Sequence, residues 1–216
     1  CQIGGNMIVQ NENHDIMTCG GGNMKVTVGV SNRHVHLTKE DLETLFGIGH
    51  ELTKVKDINQ PGQFASAEMV TLKTEKNEIK KVRVLGPVRP YTQVEISKTD
   101  AFTLGLKPPM RESGDVVGSA PITLIGPNGT IDLKEGCIIA TRHIHATKED
   151  AKRLGLEGID KVSVRVGGEK GGVMENVSVR VADNSYYEMH IDTDDANAHF
   201  ISNGDEVEII LPNAKN

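Results

Sequence analysis

The chain has 216 residues, a formal net charge of −6, 3% aromatic residues and no tryptophan. The acidic balance and the scarcity of aromatic rings argue against nucleic acid as a partner, because such partners need basic surfaces and stacking platforms. No apolar run approaches the roughly 20 residues that cross a bilayer, which argues against a membrane partner. The first twenty residues lack the basic start and apolar core of a secretory signal. The three cysteines form no CxxC pair, so reduced thiols in a cytoplasm are expected.

The predicted elements begin after an Asn- and Gly-rich stretch. Residues 1–24 are predicted to form a flexible N-terminal tail that ends in a linker at residues 20–22. From Lys25 onward, apolar alternation and β-branched residues predict many short strands. They fall at residues 26–30, 69–72, 81–85, 121–125, 131–133, 162–166, 177–181 and 204–210.

Two turn signals separate neighbouring strands. Residues 126–129, Gly-Pro-Asn-Gly, are typical of a hairpin turn. The Gly-rich residues 167–172 are interpreted as a second hairpin loop, because no phosphate-binding fingerprint surrounds them. Many short strands joined by such turns predict a mainly β protein built as a barrel or a sandwich.

One pattern occurs four times, at residues 36–41, 95–100, 145–150 and 190–195. A metal-ligand residue is followed two positions later by a helix-capping residue, and three positions after that by an aspartate. A capping oxygen accepts from an orphan amide of the first helical turn, and an acid at the third position favours the positive helix end. Each copy therefore predicts a strand end, an N-cap and a short helix. The caps are Thr38, Ser97, Thr147 and Asp192, and the aspartates are Asp41, Asp100, Asp150 and Asp195.

Two of the copies carry a second histidine. His34 with His36, and His143 with His145, are two residues apart, so in a strand both side chains of a pair point to one face. The segment 33–41 reappears in closely similar form as residues 142–150. A repeat near half the chain length predicts two related units rather than a solenoid. We expect two barrel-like units that meet at a shared ligand cluster.

The four copies name six candidate metal ligands. A catalytic zinc usually takes three protein ligands, so six suit two metals better than one. Imidazole and carboxylate groups favour zinc, with cobalt, nickel and iron left open. Cys137 lies six residues from His143, about 20 Å along a strand, so it is predicted to be a buried strand cysteine rather than a ligand or a thiolate.

Basic residues cluster in the sequence near the candidate ligands. In an acidic protein, this placement indicates an anionic substrate. Arg89, six residues before Glu95, is the strongest candidate for binding it. The others are Arg33 and Arg142 before the histidine pairs, Arg83 before Arg89, and Lys54 and Lys56 after the first predicted helix.

Four segments, residues 28–37, 60–65, 92–97 and 188–193, resemble the phosphate propanoyltransferases of bacterial microcompartments. The resemblance runs from about Lys25 to Leu211. It implies transfer of a short acyl group between coenzyme A and inorganic phosphate, with propanoyl-CoA or acetyl-CoA as substrate, at two zinc ions per chain. It also implies two β-barrels capped by short α-helices, with the dinuclear metal site between or beside them. The implied first barrel is discontinuous, formed by residues 25–33 plus 141–212, and the second spans residues 34–140.

The resemblance also assigns roles to individual residues. It implies one zinc held by His34, His36 and Glu95, and another held by His143, His145 and His190. Arg89 is implied as the catalytic, phosphate-binding arginine. The residues implied to bind coenzyme A are Ser31, Asn32, Arg33, Lys56, Arg83 and Asn197.

The implied setting is the bacterial cytoplasm, in the lumen of a microcompartment such as one for propanediol degradation. Acyl-CoA, phosphate, acyl phosphate and coenzyme A are the implied small-molecule partners, and a homo-oligomer and shell or lumen proteins stay open as further partners. Two other functions stay open on the residues alone. One is a two-zinc ester or phosphoester hydrolase. The other is a non-catalytic barrel whose histidines store metal or join two domains.

Overall fold

A computed structural model describes residues 24–212, so most of the predicted tail, with Cys1 and Cys19, lies outside the described residues. Within that range the strands are β1 (Lys25–Ser31), β2 (His34–His36), β3 (Lys54–Asp57), β4 (Phe64–Lys73), β5 (Glu78–Gly86), β6 (Gln93–Glu95), β7 (Met110–Arg111), β8 (Ala120–Ile125), β9 (Thr130–Ala140), β10 (His143–Ala146), β11 (Lys161–Val166), β12 (Gly172–Val181), β13 (Glu188–Asp192) and β14 (Glu206–Ile210). The helices are α1 (Lys39–Phe46), α2 (Lys98–Leu104), α3 (Lys148–Leu154) and α4 (Thr193–His199).

The strands close into two barrels. The first barrel has the order β1-β13-β10-β12-β11-β14 and closes through antiparallel pairing of β1 with β14. The second has the order β4-β5-β2-β6-β9-β8, and β8 closes it by pairing with β4 and β9. Two short strands extend the second barrel, with β3 beside β4 and β7 beside β9. The prediction of a mainly β protein with two helix-capped barrels is confirmed.

The histidine pairs occupy equivalent places in the two barrels. Strand β2 lies between a parallel neighbour, β5, and an antiparallel neighbour, β6. Strand β10 lies in the same way between β12 and β13. The internal repeat seen in the sequence is therefore a repeat of barrel topology.

The chain passes between barrels immediately before each histidine pair. Strand β1 belongs to the first barrel and β2 to the second, with residues 32–33 between them. Strand β9 belongs to the second barrel and β10 to the first, with residues 141–142 between them. Both pairs consequently lie where the two barrels meet.

Each of the four predicted joints ends in a helix, as predicted. The side chains of Thr38, Ser97, Thr147 and Asp192 each accept a hydrogen bond from the backbone N–H of the aspartate three residues later. These bonds satisfy orphan amides that the first helical turn cannot pair. The helices are short, seven or eight residues, and within residues 24–212 no helix is long and apolar enough to cross a membrane.

Each barrel encloses its own apolar core. Val28, Ile144 and Met189 are among the side chains that fill the first barrel. Val35 and Val94 belong to the core of the second. Cys137 lies in this second core, fully buried on β9, and burial raises the pKa of its thiol to about 12. The prediction of a buried strand cysteine is confirmed.

Candidate metal and active site

Strand pairing in the second barrel assembles the first ligand cluster. β2 and β6 run antiparallel with His34 opposite Glu95. The ligand atoms of His34, His36 and Glu95 all lie within 4.8 Å of one another. His34 Nδ1 is 2.8 Å from the carbonyl oxygen of Asn32, which leaves Nε2 facing the Glu95 carboxylate at 3.5 Å. A backbone partner of this kind fixes the ring orientation and tautomer of a metal-binding histidine.

The first barrel assembles the second cluster by the same pairing. β10 and β13 place His190 opposite His143, and the ligand atoms of these two residues and His145 lie within 4.8 Å of one another. His143 Nδ1 is 2.8 Å from the carbonyl oxygen of Thr141. This is the same distance as that from His34 Nδ1 to the Asn32 carbonyl oxygen. The Nε2 atoms of His143 and His145 are 3.1 Å apart. His190 Nε2 is 2.8 Å from a carboxylate oxygen of Glu188.

The electrostatics of most candidate ligands favour the forms that bind cations, and His34 is the exception. Burial lowers the pKa of His36 and His143 to about 3 and that of His145 to about 4, so these rings are neutral near pH 7. Although burial opposes it, the neighbouring Glu95 carboxylate raises the pKa of His34. Glu95 is also buried, yet the two histidines beside it keep its pKa well below the ordinary value. Neutral imidazole and ionised carboxylate are the ligand forms that a metal requires.

The donor atoms fit a transition-metal ion at each cluster. One cluster offers two imidazoles and a carboxylate, and the other offers three imidazoles, both of which are catalytic zinc sets. His36 Nδ1 is buried with no hydrogen-bond partner of good geometry within residues 24–212. The Leu85 backbone nevertheless acts to raise the pKa of this ring, so the fit to a metal rests on the donor set.

Both clusters open into one cavity. His34 and Glu95 of the second barrel and His143 and His190 of the first line the same space. A neighbouring cavity of about 500 Å³ shares part of its wall with this space. The residues that border both are Ser31, Asn32, Arg33, His34 and His190. A volume of this size is typical of a small-molecule site.

Most of the residues predicted to bind coenzyme A line the larger cavity. Ser31, Asn32, Arg33, Lys56 and Arg83 all border it. Lys81, which the sequence analysis did not select, borders it too. Asn197 is exposed on α4 and is not among the residues that line either cavity. The side chain of Arg83 also donates to the backbone carbonyl of Ser66.

Arg89 is half-buried beside the first cluster. Its backbone N–H donates to the Leu37 carbonyl at 2.8 Å, which places it next to the end of β2. Its guanidinium lies 3.3 Å from Gln63 Oε1 and 3.4 Å from Ser113 Oγ. Its positive charge opposes protonation of both His34 and His36, so the guanidinium is close to the cluster. These long, weak contacts leave hydrogen-bonding capacity for an anion.

Gln93 connects Arg89 to the first cluster, and the sequence analysis did not select it. It is fully buried on β6, two residues before Glu95 and on the same face. Its amide nitrogen donates to Glu95 Oε1 at 2.6 Å and to Ser113 Oγ at 2.9 Å. Its amide oxygen accepts from the Gly114 backbone N–H at 2.7 Å. Its position two residues before Glu95 could have indicated this place, because alternate residues of a strand share a face.

Arg180 is the second functional candidate that the sequence analysis missed. It stands on β12 beside His145, and its positive charge opposes protonation of the second cluster. Burial lowers its own pKa, and the Glu112 and Glu95 carboxylates act against that shift. Its Nε and Nη2 atoms are buried with no hydrogen-bond partner in the described part of the chain, and Nε is 3.7 Å from Glu112 Oε2. Only the pairing of β12 with β10 shows that this arginine belongs to the site.

The two arginines approach the same short loop from opposite barrels. Glu112 faces Arg180 of the first barrel, while Ser113, the next residue, contacts Arg89 of the second. Each guanidinium therefore flanks one ligand cluster at the junction. Two guanidinium groups beside the clusters offer positive charge to an anion at a junction that also contains the Glu95, Glu112 and Glu188 carboxylates.

Fold and site together define a class of β proteins in which two related barrels meet at paired three-ligand clusters. A family model described as phosphate propanoyltransferase matches residues 27–202. The phosphate propanoyltransferase of Rhodobacter capsulatus is 56% identical over 178 residues, which cover 82% of this chain and 83% of that protein. The one of Thermotoga maritima is 53% identical over 186 residues, covering 86% and 89%. The one of Salmonella typhimurium is 47% identical over 174 residues, covering 80% and 82%.

The chain belongs to the phosphate propanoyltransferase family. It is therefore an acyltransferase, and the resemblance stated from its motifs is confirmed. Family membership also argues against the non-catalytic barrel as the function of this chain.

Proposed function

We propose that this chain interconverts a short-chain acyl-CoA and inorganic phosphate with the acyl phosphate and free coenzyme A. Propanoyl-CoA and acetyl-CoA are the proposed acyl donors. The observation that carries the proposal is that His34 and Glu95 of one cluster and His143 and His190 of the other line one cavity, which shares its border with a larger cavity rich in basic residues. A phosphate nucleophile and the anionic tail of coenzyme A both need such positive surroundings.

The proposed cofactors are two zinc ions per chain. One would be held by His34, His36 and Glu95, and the other by His143, His145 and His190, the sets whose ligand atoms lie within 4.8 Å. When bound, such ions polarise carbonyl and phosphoryl oxygens and stabilise developing negative charge.

Arg89 and Arg180 bind and orient phosphate in this proposal. Phosphate is already an anionic nucleophile at neutral pH, so the site needs no strong general base. The guanidinium groups hold it beside the thioester carbonyl, which makes the attack effectively intramolecular. A phosphate oxygen forms a bond to the carbonyl carbon, the oxyanion is stabilised by the positive site, and the carbon–sulfur bond breaks. The electron pair leaves on the coenzyme A thiolate.

The larger cavity accommodates coenzyme A. Its lining includes four basic residues and two acidic ones, and this positive balance suits the phosphate groups of the cofactor; they are Arg33, Lys56, Lys81 and Arg83, with Asp57 and Glu188. The shared border with the smaller cavity directs the thioester end toward the ligand clusters. Asn197 stays a predicted contact on resemblance, as an exposed residue of α4.

On resemblance, we place this reaction in the lumen of a bacterial microcompartment, as in propanediol degradation. Shell or lumen proteins would then be its macromolecular partners.

The test is thiol release from acetyl-, propanoyl- and butanoyl-CoA, with and without phosphate, after chelation and again after zinc is returned. The proposal expects release that requires both phosphate and zinc, together with formation of acyl phosphate. Release without phosphate would instead identify a two-zinc hydrolase. Activity that survives complete chelation would contradict the metal sites.

A further inference from the structure

The repeated aspartates of the four joints divide into two kinds. Asp41 and Asp150 follow the histidine pairs: Asp41 accepts from the hydroxyl of Thr92, which lies 51 residues away just before β6, and Asp150 accepts from Arg153 of its own helix at 2.8 Å. Asp100 and Asp195 belong to the joints that carry a single ligand, Glu95 or His190, which is the third ligand of its cluster. Each of these two accepts from an arginine of the two-residue segment that precedes a histidine pair.

In the second barrel, the arginine is Arg33. Its Nε donates to Asp100 Oδ1 at 2.9 Å, and its Nη2 lies 2.8 Å from the same oxygen. The other oxygen of Asp100 accepts from the backbone N–H of Ser97 at 3.2 Å. Arg33 directly precedes ligand His34, and Ser97 stands two residues after ligand Glu95. The bridge therefore joins the beginning of β2 to the end of β6, across which the two ligands face each other.

The first barrel repeats this arrangement with different residues. Arg142 directly precedes ligand His143, and its Nε donates to Asp195 Oδ2 at 2.9 Å. The backbone N–H of Asp195 donates to the N-cap Asp192 at 2.8 Å, two residues after ligand His190. The bridge joins the beginning of β10 to the end of β13, which carry His143 and His190 opposite each other.

The physical need for such a bridge follows from the strands that carry the ligands. β2 and β6 have three residues each and β10 has four, so few ladder hydrogen bonds hold their ends. A displacement of one strand end would change the separation of the ligand atoms. Asp100 is buried, and a hydrogen-bonded charge pair in such a position has a defined geometry.

We infer that Arg33–Asp100 and Arg142–Asp195 are positioning pairs, each of which holds the third ligand of its own cluster in place for metal binding. The inference rests on the proposed zinc sites. It gives the repeated arginine before each histidine pair a role separate from contact with substrate. Arg33, which borders both cavities, would have this role in addition to its proposed one.

The test measures zinc affinity in single-site backgrounds by competition with a chromophoric chelator. The His36→Ala background retains the second cluster, and there Arg142→Gln should raise the zinc dissociation constant by about 10- to 100-fold. Asp195→Asn should have the same effect, and the double variant should be little worse than either, because the pair acts as a unit. Arg142→Lys keeps the charge and should recover part of the affinity.

Two controls separate positioning from general destabilisation. Arg153→Gln removes the ion pair with Asp150 inside α3 and should leave zinc affinity unchanged. In the His145→Ala background, which retains the first cluster, Arg142→Gln should also have no effect, whereas Asp100→Asn should weaken binding. Equal loss of zinc from both clusters, in step with a lower thermal midpoint, would make the pairs merely structural.

The outcomes distinguish this inference from the proposed function. Wild-type protein with two zinc ions and an Arg142→Gln variant of wild-type affinity would overturn the positioning pairs alone. Wild-type protein that binds no zinc would overturn both.

Discussion

The two ligand clusters occupy equivalent places in the two barrels but differ in where their carboxylate stands. In the second barrel, Glu95 belongs to the cluster and Gln93 lies beside His36 on the neighbouring strand. In the first barrel, His190 belongs to the cluster and Glu188 lies beside His145 at the same register position. Each site thus contains one carboxylate, as a candidate ligand in one and as a hydrogen-bonding neighbour of a candidate ligand in the other.

The neighbour of the third ligand on the adjacent parallel strand also differs between the two barrels. Glu95 is paired with Ile138 on the parallel neighbour β9, and His190 is paired with Gly29 on the equivalent strand β1. A Cβ atom on Gly29 would lie 2.9 Å from the Glu188 carboxyl and 3.0 Å from the His190 ring. The repeat therefore preserves the strand, the cap and the histidine pair. The third ligand and the residue beside it differ between the two barrels.

The largest expected effect is that of removing a ligand from one cluster and leaving the other intact. His36→Ala and His145→Ala should each retain one zinc per chain instead of two, and both should lose phosphate-dependent thiol release, because catalysis is proposed to need the whole junction. Metal analysis after dialysis and the thiol assay measure this. His199→Ala, which alters a histidine outside both clusters, should keep two ions and full activity. Loss of both ions from either ligand variant would show that the clusters do not bind independently.

Removing Arg89 should reduce turnover without removing metal. Arg89→Ala is expected to lower kcat by about 10²- to 10³-fold, as loss of a charged contact to the reacting groups does. Metal content should stay at two ions, and kcat, the KM for phosphate and zinc per chain are the measurements. Arg165→Ala, an exposed arginine on β11, is the matched control. A fully active Arg89→Ala variant would remove this residue from the mechanism.

Filling the space at Gly29 should affect one cluster only. Gly29→Ala would force the added methyl group against His190 and Glu188, so we expect about tenfold weaker zinc binding at the second cluster and no change at the first. Chelator competition in the two single-site backgrounds measures this. Gly167→Ala, where a Cβ atom would meet nothing within 4 Å, is the control. Equal effects of the two substitutions would contradict the steric argument.

The smallest expected effect concerns Cys137, which reports on the core of the second barrel alone. Because burial raises the pKa of its thiol to about 12, it should stay protonated and unreactive toward iodoacetamide at pH 8 while the barrel is folded. Peptide mapping after labelling, with and without denaturant, measures its modification separately from that of Cys1 and Cys19. Rapid labelling of Cys137 in native protein would show that the second barrel opens independently.

The local features of the site could be predicted from the sequence because they depend on residues close in the chain. The cap and aspartate of each joint are three residues apart, and the histidines of each pair are two apart. Those spacings encode a helix start and a shared strand face with no distant contact. The Gly-Pro-Asn-Gly turn is of the same kind, and it joins β8 to β9 in the structure.

Other features depend on strands that are far apart in the sequence. Arg180 looks like an ordinary polar residue of an alternating strand until β12 pairs with β10, and Gln93 and Glu188 gain their places only opposite the histidine pairs. The ion pairs of Arg33 and Arg142 likewise join segments 67 and 53 residues apart. Short-range sequence patterns do not indicate which residues of distant strands will be paired.

By itself, the sequence determined six ligand-type residues, four helix starts and a mainly β chain with an internal repeat. Spacing alone left open where the chain changes barrel and which single ligand faces which pair, and these were expected only on resemblance. In the tertiary structure, strand pairing makes the change just before each histidine pair and sets Glu95 opposite one pair and His190 opposite the other. It also brought arginines of both barrels to one loop. The physical reason is that hydrogen bonds along a few residues select local conformation, whereas barrel closure and strand register are set by packing over the whole chain.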